Sequence, residues 1–263
     1  MTPAVPPLRV ALGEYDIGWH DPAASLARAS AIVAAAAAGG ARLVVLPEMC
    51  TTGFTMDNDL AESIAGESVT RLSRMASQSG VWLLAGVATR DADSATRAAR
   101  NSALMFAPTG ELSAVYHKQR LFAYANEQRS YAGGNRSVIV DVDGVRVSPF
   151  ICYDLRFPEL FRAVAAETDM IVVIASWPAA RRLHWDALLR ARAIENQCYV
   201  IGVNRIGIGD SIVYDGGSAA YDPWGIALDR STLSGAGDVT SVAVSAGEVA
   251  RVREAYPFLA DRC

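Results

Sequence analysis

Three residues of different chemistry each close an apolar, strand-like run. Glu48 ends "RLVVLPE", Lys118 ends "LSAVYHK" and Cys152 ends "VSPFIC". In α/β sheets, groups at strand ends are the ones that converge on a cleft. A carboxylate, an ammonium and a thiol gathered there would supply a base, a cation and a nucleophile, the parts needed for acyl transfer through a thioester. Each residue also has a plainer reading. A cysteine ending an apolar strand packs as a small hydrophobe, a glutamate can sit at a helix start, and a lysine is ordinarily solvated. Only joint placement favours chemistry, and that depends on the elements that carry the three.

Strands are predicted at "LRVALGE" (8–14) and "ARLVVLPE" (41–48). Between them an alanine-rich helix starts after Asp21-Pro22 and is closed by Gly39-Gly40. Val69, Leu72, Met75 and Ala76 recur at helical spacing before Gly80. Strands follow at "VWLLAGVA", "NSALMFA" and "ELSAVYHK", with a Pro-Thr-Gly turn at 108–110 leading into the last. Beyond a polar loop (123–136), Asp143-Gly144 joins "SVIVDV" to "VRVSPFIC" as a hairpin. A helix from Pro158, the strand "MIVVIAS", a helix over 183–197 and the strand "CYVIGV" come next. Short strands at "GGSAAYD", "GIALD" and "VTSVAV" precede an amphipathic tail that begins near residue 245. Alternating strands and helices, with hairpins but no repeat or linker, predict one α/β domain over 1–263, layered around a mixed sheet.

The chain has 263 residues, 51% apolar and 20% charged, enough for one large core. A net charge of -4 with scattered basic residues gives no electrostatic basis for binding nucleic acid or an anionic membrane. The N-terminal stretch lacks the basic region and long apolar core of a signal peptide. The longest apolar runs, 31–38 and 170–175, fall short of the roughly 18 residues a membrane span needs. The expectation is a cytoplasmic protein acting on a small molecule. Cys50, Cys152, Cys198 and Cys263 form no C-x-x-C pair, which argues against a disulfide framework or a cysteine zinc site. With His20, His117 and His184 as its only histidines, the chain reads as metal-free.

Three blocks carry a family resemblance. "LPEMCTTGF" (46–54), "YHKQRLF" (116–122) and "ICYDLRFPEL" (151–160) resemble, in this order, the signature blocks of the nitrilase, or carbon–nitrogen hydrolase, superfamily. The similarity extends from about Arg9 to Val244, and "SWPAARRLHWDALLRARAIENQCYVIGVNRIG" looks like the omega-amidase branch. This resemblance implies a four-layer α-β-β-α sandwich, a homodimer or higher homo-oligomer, and no cofactor or metal. It also implies Glu48 as general base, Lys118 as the lysine beside it, and Cys152 as nucleophile. Glu127, in "YANEQRSYAGG", would be the supporting carboxylate that positions the lysine and substrate.

The chemistry is consistent with those roles. A neighbouring ammonium is expected to lower the Cys152 thiol pKa, and Glu48 to accept its proton. Lys118 and the backbone N–H of Tyr153 would meet the oxyanion. The implied reaction releases ammonia from the omega-amide of short α-keto acid amides such as 2-oxoglutaramate or 2-oxosuccinamate. Their free carboxylate calls for a cation, for which Arg156 and Arg181 are the candidates; Arg156 could equally anchor its loop through Glu159. Phe122, Tyr124 and Trp177 could wall the pocket. N-carbamoyl amino acid hydrolase, aliphatic amidase and nitrilase activities use the same three residues and stay open. A thiol redox sensor using Cys152 and a non-enzymatic binding module are readings from other classes. His117 should face away from Lys118 on its strand, His184 reads as packing or capping, and His20 has no evident partner. Cys50 reads as structural, and Cys198 and Cys263 show no charged partner.

Overall fold

Runs such as "RVAL" and "LVVL" put apolar side chains on both faces of a strand, so both faces must be covered. The computed structural model, which describes residues 6–90, 98–233 and 239–262, shows what covers them. The chain begins with β1 (Leu8–Leu12), α1 (Pro22–Ala38), β2 (Leu43–Val45), the short β3 (Glu62–Ser63) and α2 (Glu67–Ser79). Three strands follow, β4 (Trp82–Arg90), β5 (Ala99–Phe106) and β6 (Leu112–His117), and then the single turn α3 (Glu127–Ser130). The second half comprises β7 (Val140–Val142), β8 (Val145–Ile151), α4 (Pro158–Val164), β9 (Met170–Ala175), α5 (Arg182–Asn196) and β10 (Tyr199–Asn204). It ends with β11 (Ile206–Gly209), β12 (Ile212–Asp215), β13 (Ala219–Tyr221), β14 (Ser231–Thr232), β15 (Thr240–Val244) and α6 (Ala246–Ala255).

One mixed sheet runs β14-β15-β1-β2-β4-β5-β6, with β3 also on β4, and a second runs β13-β10-β9-β8-β7. The centre of each is parallel and its flanks are antiparallel. Strand alternation sorts the layers. Val10, Leu12, Leu43, Val45 and Met105 face the second sheet and share a core with Val147 and Val172. Their neighbours Ala11, Val44, Leu104 and Phe106 face the other way, onto Leu26 and Val33 of α1 and Leu72 and Met75 of α2. Trp185 and Leu189 of α5, with Phe161 of α4, close the far side of the second sheet. Gly202 in β10 allows that closeness, since a Cβ there would lie 2.5 Å from both Trp185 and Leu189. The result is the expected four-layer α-β-β-α sandwich. Among the described residues, no helix is long and apolar enough to cross a membrane; Cys263 lies outside them.

Three elements differ from expectation. Strand β2 stops at Val45, so Glu48 stands in a loop beyond the strand rather than at its end. Pro47 lacks the N–H that would extend the ladder, and Met49 turns the chain at φ +43°. The stretch "RIGIGDSIVYD" forms the hairpin β11–β12, its two turn residues Asp210 and Ser211 both at positive φ, as tight hairpin turns demand. "GIALD" makes only the single bridge Tyr221↔Ala227. There Asp222 caps its own turn, its Oδ1 accepting from the N–H groups of Trp224 and Ile226.

The loop carrying Glu48 lies directly on β4 at Gly86, whose N–H donates to the Pro47 carbonyl and whose carbonyl accepts from Cys50. A Cβ at Gly86 would sit 2.6 Å from both Glu48 Cα and the Pro47 oxygen, with only backbone to give way. Gly86→Ala is therefore expected to lower the unfolding free energy by about 1–3 kcal/mol in urea titrations, the usual cost of forcing extra volume into a packed site.

Candidate active site

The segments just beyond β2, β6, β8 and β9 meet at one point. Lys118 follows the last residue of β6, and Cys152 follows the last of β8, where it opens a short 3-10 helix. Cys152 holds φ +45°, a conformation that L-residues adopt at a cost and that turns its side chain sharply out of the strand direction. Lys118 Nζ lies 2.9 Å from Glu48 Oε1 and 2.9 Å from Glu127 Oε2, and all three side chains are fully buried. Phe54 covers the ammonium from another side, its ring centre 5.0 Å from Nζ.

The remaining donors hold the carboxylates still. Asn101 Nδ2 donates to Glu48 Oε1 at 2.7 Å and to Glu127 Oε1 at 2.9 Å. The Ser176 N–H donates to Glu48 Oε2 at 2.9 Å, and the Phe122 N–H to Glu127 Oε2 at 2.6 Å. Cys152 Sγ lies 3.9 Å from the Ser176 carbonyl, so Ser176 touches both the thiol and the Glu48 carboxylate. Asn101 and Ser176 are absent from the sequence-based site. The available signal for Asn101 was a polar residue at the head of the apolar run "ALMFA", where burial demands partners.

Electrostatics correct one expectation. Burial would strip the proton from Lys118, but the Glu127 and Glu48 carboxylates outweigh it and hold the ammonium firmly charged. The Cys152 thiol is pushed up, not down: burial and then the Glu48 charge both disfavour a thiolate, and Lys118 only partly offsets them. Two carboxylates around one ammonium already leave an excess negative charge, and a thiolate would add a second. At rest Cys152 is held as a thiol.

A cavity of about 430 Å³ reaches Cys152 and Lys118. Phe122, Tyr124, Tyr153, Arg156, Trp177 and Arg181 line it. Phe54, Ile212 and Tyr214 line it too and were not anticipated, the last two because they sit on the unforeseen hairpin. Glu48 and Glu127 lie behind the lining. Arg156 stacks over Trp177 at 4.9 Å and Arg181 over Phe122 at 5.5 Å. Among the described residues neither guanidinium pairs with a carboxylate; Glu159 is taken by Arg120 at 3.2 Å. Arg156 instead lies 3.1 Å from His184 Nδ1. His117 binds Ser102, and His20, expected to stand alone, sits 2.7 Å from Thr55 Oγ1 and stacks on Trp19.

Comparison with known proteins gives the family of this fold and site. The carbon-nitrogen hydrolase family model matches residues 9–254, and the chain belongs to that family. It is 38% identical over 222 residues to the omega-amidase YafV of Escherichia coli, covering 84% of each chain. A 2-oxoglutaramate amidase of Bacillus subtilis is 31% identical over 252 residues, 94% of this chain and 95% of that one. Among solved structures, a CN-hydrolase superfamily protein from Xanthomonas campestris superposes with a TM-score of 0.88 at 34% identity, covering 98% of this chain and 97% of that one. The Nit3 protein of Saccharomyces cerevisiae, a nitrilase superfamily member, reaches 0.84 at 25% identity, covering 96% and 95%.

The cysteines differ in access as well as in surroundings. Cys50 and Cys198 are fully enclosed, and burial pushes each thiol up to about 12. Brief treatment of the native protein with iodoacetamide at about pH 8 should label Cys152 at least roughly tenfold faster than either, by peptide mass spectrometry. The Cys152 rate should still be climbing above pH 9, because its thiol is raised beyond the ordinary value.

Proposed function

We propose that this chain is a thiol amidohydrolase that releases ammonia from the omega-amide of short α-keto acid amides, with 2-oxoglutaramate or 2-oxosuccinamate as substrate. The observation that carries the reading is the arrangement of Lys118 between Glu48 and Glu127, beside a thiol that opens onto a cavity holding two guanidiniums that pair with no carboxylate among the described residues. The relatives named as omega-amidase and 2-oxoglutaramate amidase support the substrate class.

Because the Cys152 proton is held tightly, it must leave as sulfur bonds to the amide carbon, and Glu48 is the base for that transfer. The carbonyl oxygen becomes an oxyanion, stabilised by Lys118 Nζ and the Tyr153 N–H. Glu48 returns the proton to the departing nitrogen, so ammonia leaves and a thioester remains. Water then attacks the thioester, giving up its proton to Glu48. Collapse of that second intermediate frees the carboxylic acid and restores the thiol with the same proton. Glu127 is a positioning group for Lys118. The cavity is lined mainly by aromatic and aliphatic groups, and Arg156 or Arg181 would balance the carboxylate at the substrate's other end.

Ammonia release from 2-oxoglutaramate, compared with glutamine, an N-carbamoyl amino acid and a simple nitrile, tests the proposal. Turnover of the keto-acid amide should dominate, and Cys152→Ala should abolish it. Activity that survives Cys152→Ala would sink the mechanism, whereas preference for another substrate, lost in the variant, would overturn the specificity alone. Arg181→Ala should raise KM for the keto-acid amide about tenfold or more while leaving an uncharged amide within about twofold, the signature of a lost charge contact. Equal effects on both would assign Arg181 a packing role.

A further inference from the structure

Asp154 lies two residues past Cys152, is fully buried and does not line the cavity. Its Oδ1 accepts from the Gln119 N–H at 3.2 Å and the Arg120 N–H at 2.8 Å. Its Oδ2 accepts from Tyr116 Oη at 2.7 Å and the Ile151 N–H at 3.1 Å. Three of these donors flank Lys118 in sequence, and the fourth immediately precedes Cys152. Lys118 itself bonds to Glu48 and Glu127, and the Asp154 carboxylate ties its segment to the cysteine elbow by hydrogen bonds from within the core.

We infer that Asp154 is a positioning residue for this chain's reaction, setting the separation between Lys118 and Cys152 by clamping both backbone segments onto one carboxylate. The inference rests on the roles proposed above for those two residues. Three of the four partners are backbone N–H groups that can only donate, and the ionised carboxylate accepts from all four at once. Holding that charge is costly. Burial raises the Asp154 carboxyl to about 6, against the pull of the Tyr116 hydroxyl, the Arg120 N–H, the Lys118 charge and the Ile151 N–H. The folded-state value thus lies above that of an unfolded aspartate, so ionising it removes stability as pH rises from about 4 toward 6. A charge that folding alone disfavours, met by three backbone N–H groups and one tyrosine hydroxyl beside two reactive groups, fits a demand for geometry.

The separation matters because the oxyanion donor must be aimed at a carbonyl already bonding to sulfur. Asp154→Asn keeps the shape but turns an amide N–H₂ against two of the donors. Its kcat on 2-oxoglutaramate should fall about 100-fold or more with KM within about threefold, as misplacement near 1 Å does elsewhere. Tyr116→Phe removes one donor and keeps the ring that packs edge-on against Phe150 at 5.5 Å. It should lower kcat about 5- to 20-fold with KM again unchanged, a partial version of the same misplacement, and it decides the matter if the asparagine variant does not fold. Wild-type kcat in a folded variant, or a loss confined to KM, overturns the inference. Cys152→Ala in the same assay separates the layers: if it stays active, the reading of the thiol fails and the clamp loses its purpose. If it is inactive while Asp154→Asn turns over normally, only the clamp fails.

Discussion

Everything at this site depends on burying one ammonium between two carboxylates. Taking such a charge out of water costs several kcal/mol, on the order of what a whole domain has in reserve, unless its partners are close and themselves satisfied. Lys118 meets that condition through Glu48 and Glu127, and Asn101 holds the two acids in register from the side. The cluster therefore cannot form loosely. It draws the loop after β2, the segment after β6 and the turn around α3 to fixed separations, and the thiol is placed against that frame by the elbow after β8.

The same charges set the chemistry available. A cluster that already carries one negative charge in excess resists another, so the thiol rests protonated. Lys118, kept charged by the acids beside it, is a fixed cation and not a proton donor. A sulfur held as a thiol is also less open to adventitious oxidation than an exposed thiolate.

Strain and support are divided between backbone and core. Met49, next to Glu48, and Cys152 both hold positive φ, each at roughly 1–3 kcal/mol where no glycine relieves it. The layers on either side are what tolerate this. Strands β2 and β9 are buried along their whole length and β8 everywhere except Arg146, so the turns that leave them start from rigid anchors. The walls of the cavity, in contrast, come from the segments around 122–125 and 177–181 and from the hairpin β11–β12. Reactive groups thus sit against the packed core, while the residues that would sense the rest of a substrate ride on its periphery.

Much of this was legible in the residues themselves. The apolar runs before Lys118 and Cys152 ended where strands end, and both-face hydrophobicity foretold sheets covered on two sides. The blocks around Glu48, Lys118 and Cys152 were enough to bring in the family, and with it a four-layer sandwich and the candidacy of Glu127. Placement failed where proline cut β2 short of Glu48, and where a turn of two positive-φ residues made a hairpin from a stretch that reads as loop. Asn101 and Ser176 were not found because each bonds to a partner far away in the chain, and Tyr214 because it rides on the hairpin that was not foreseen. The direction of the Cys152 thiol was misjudged for a related reason: a sequence lists the charges but not how many share one dry space. Residue type and local periodicity determined which groups were available and which faces were apolar. Which groups touch, what each is burdened with, and whether a sulfur rests as thiol or thiolate were decided by tertiary packing, because Coulomb energy and desolvation depend on distances and burial that local sequence does not contain.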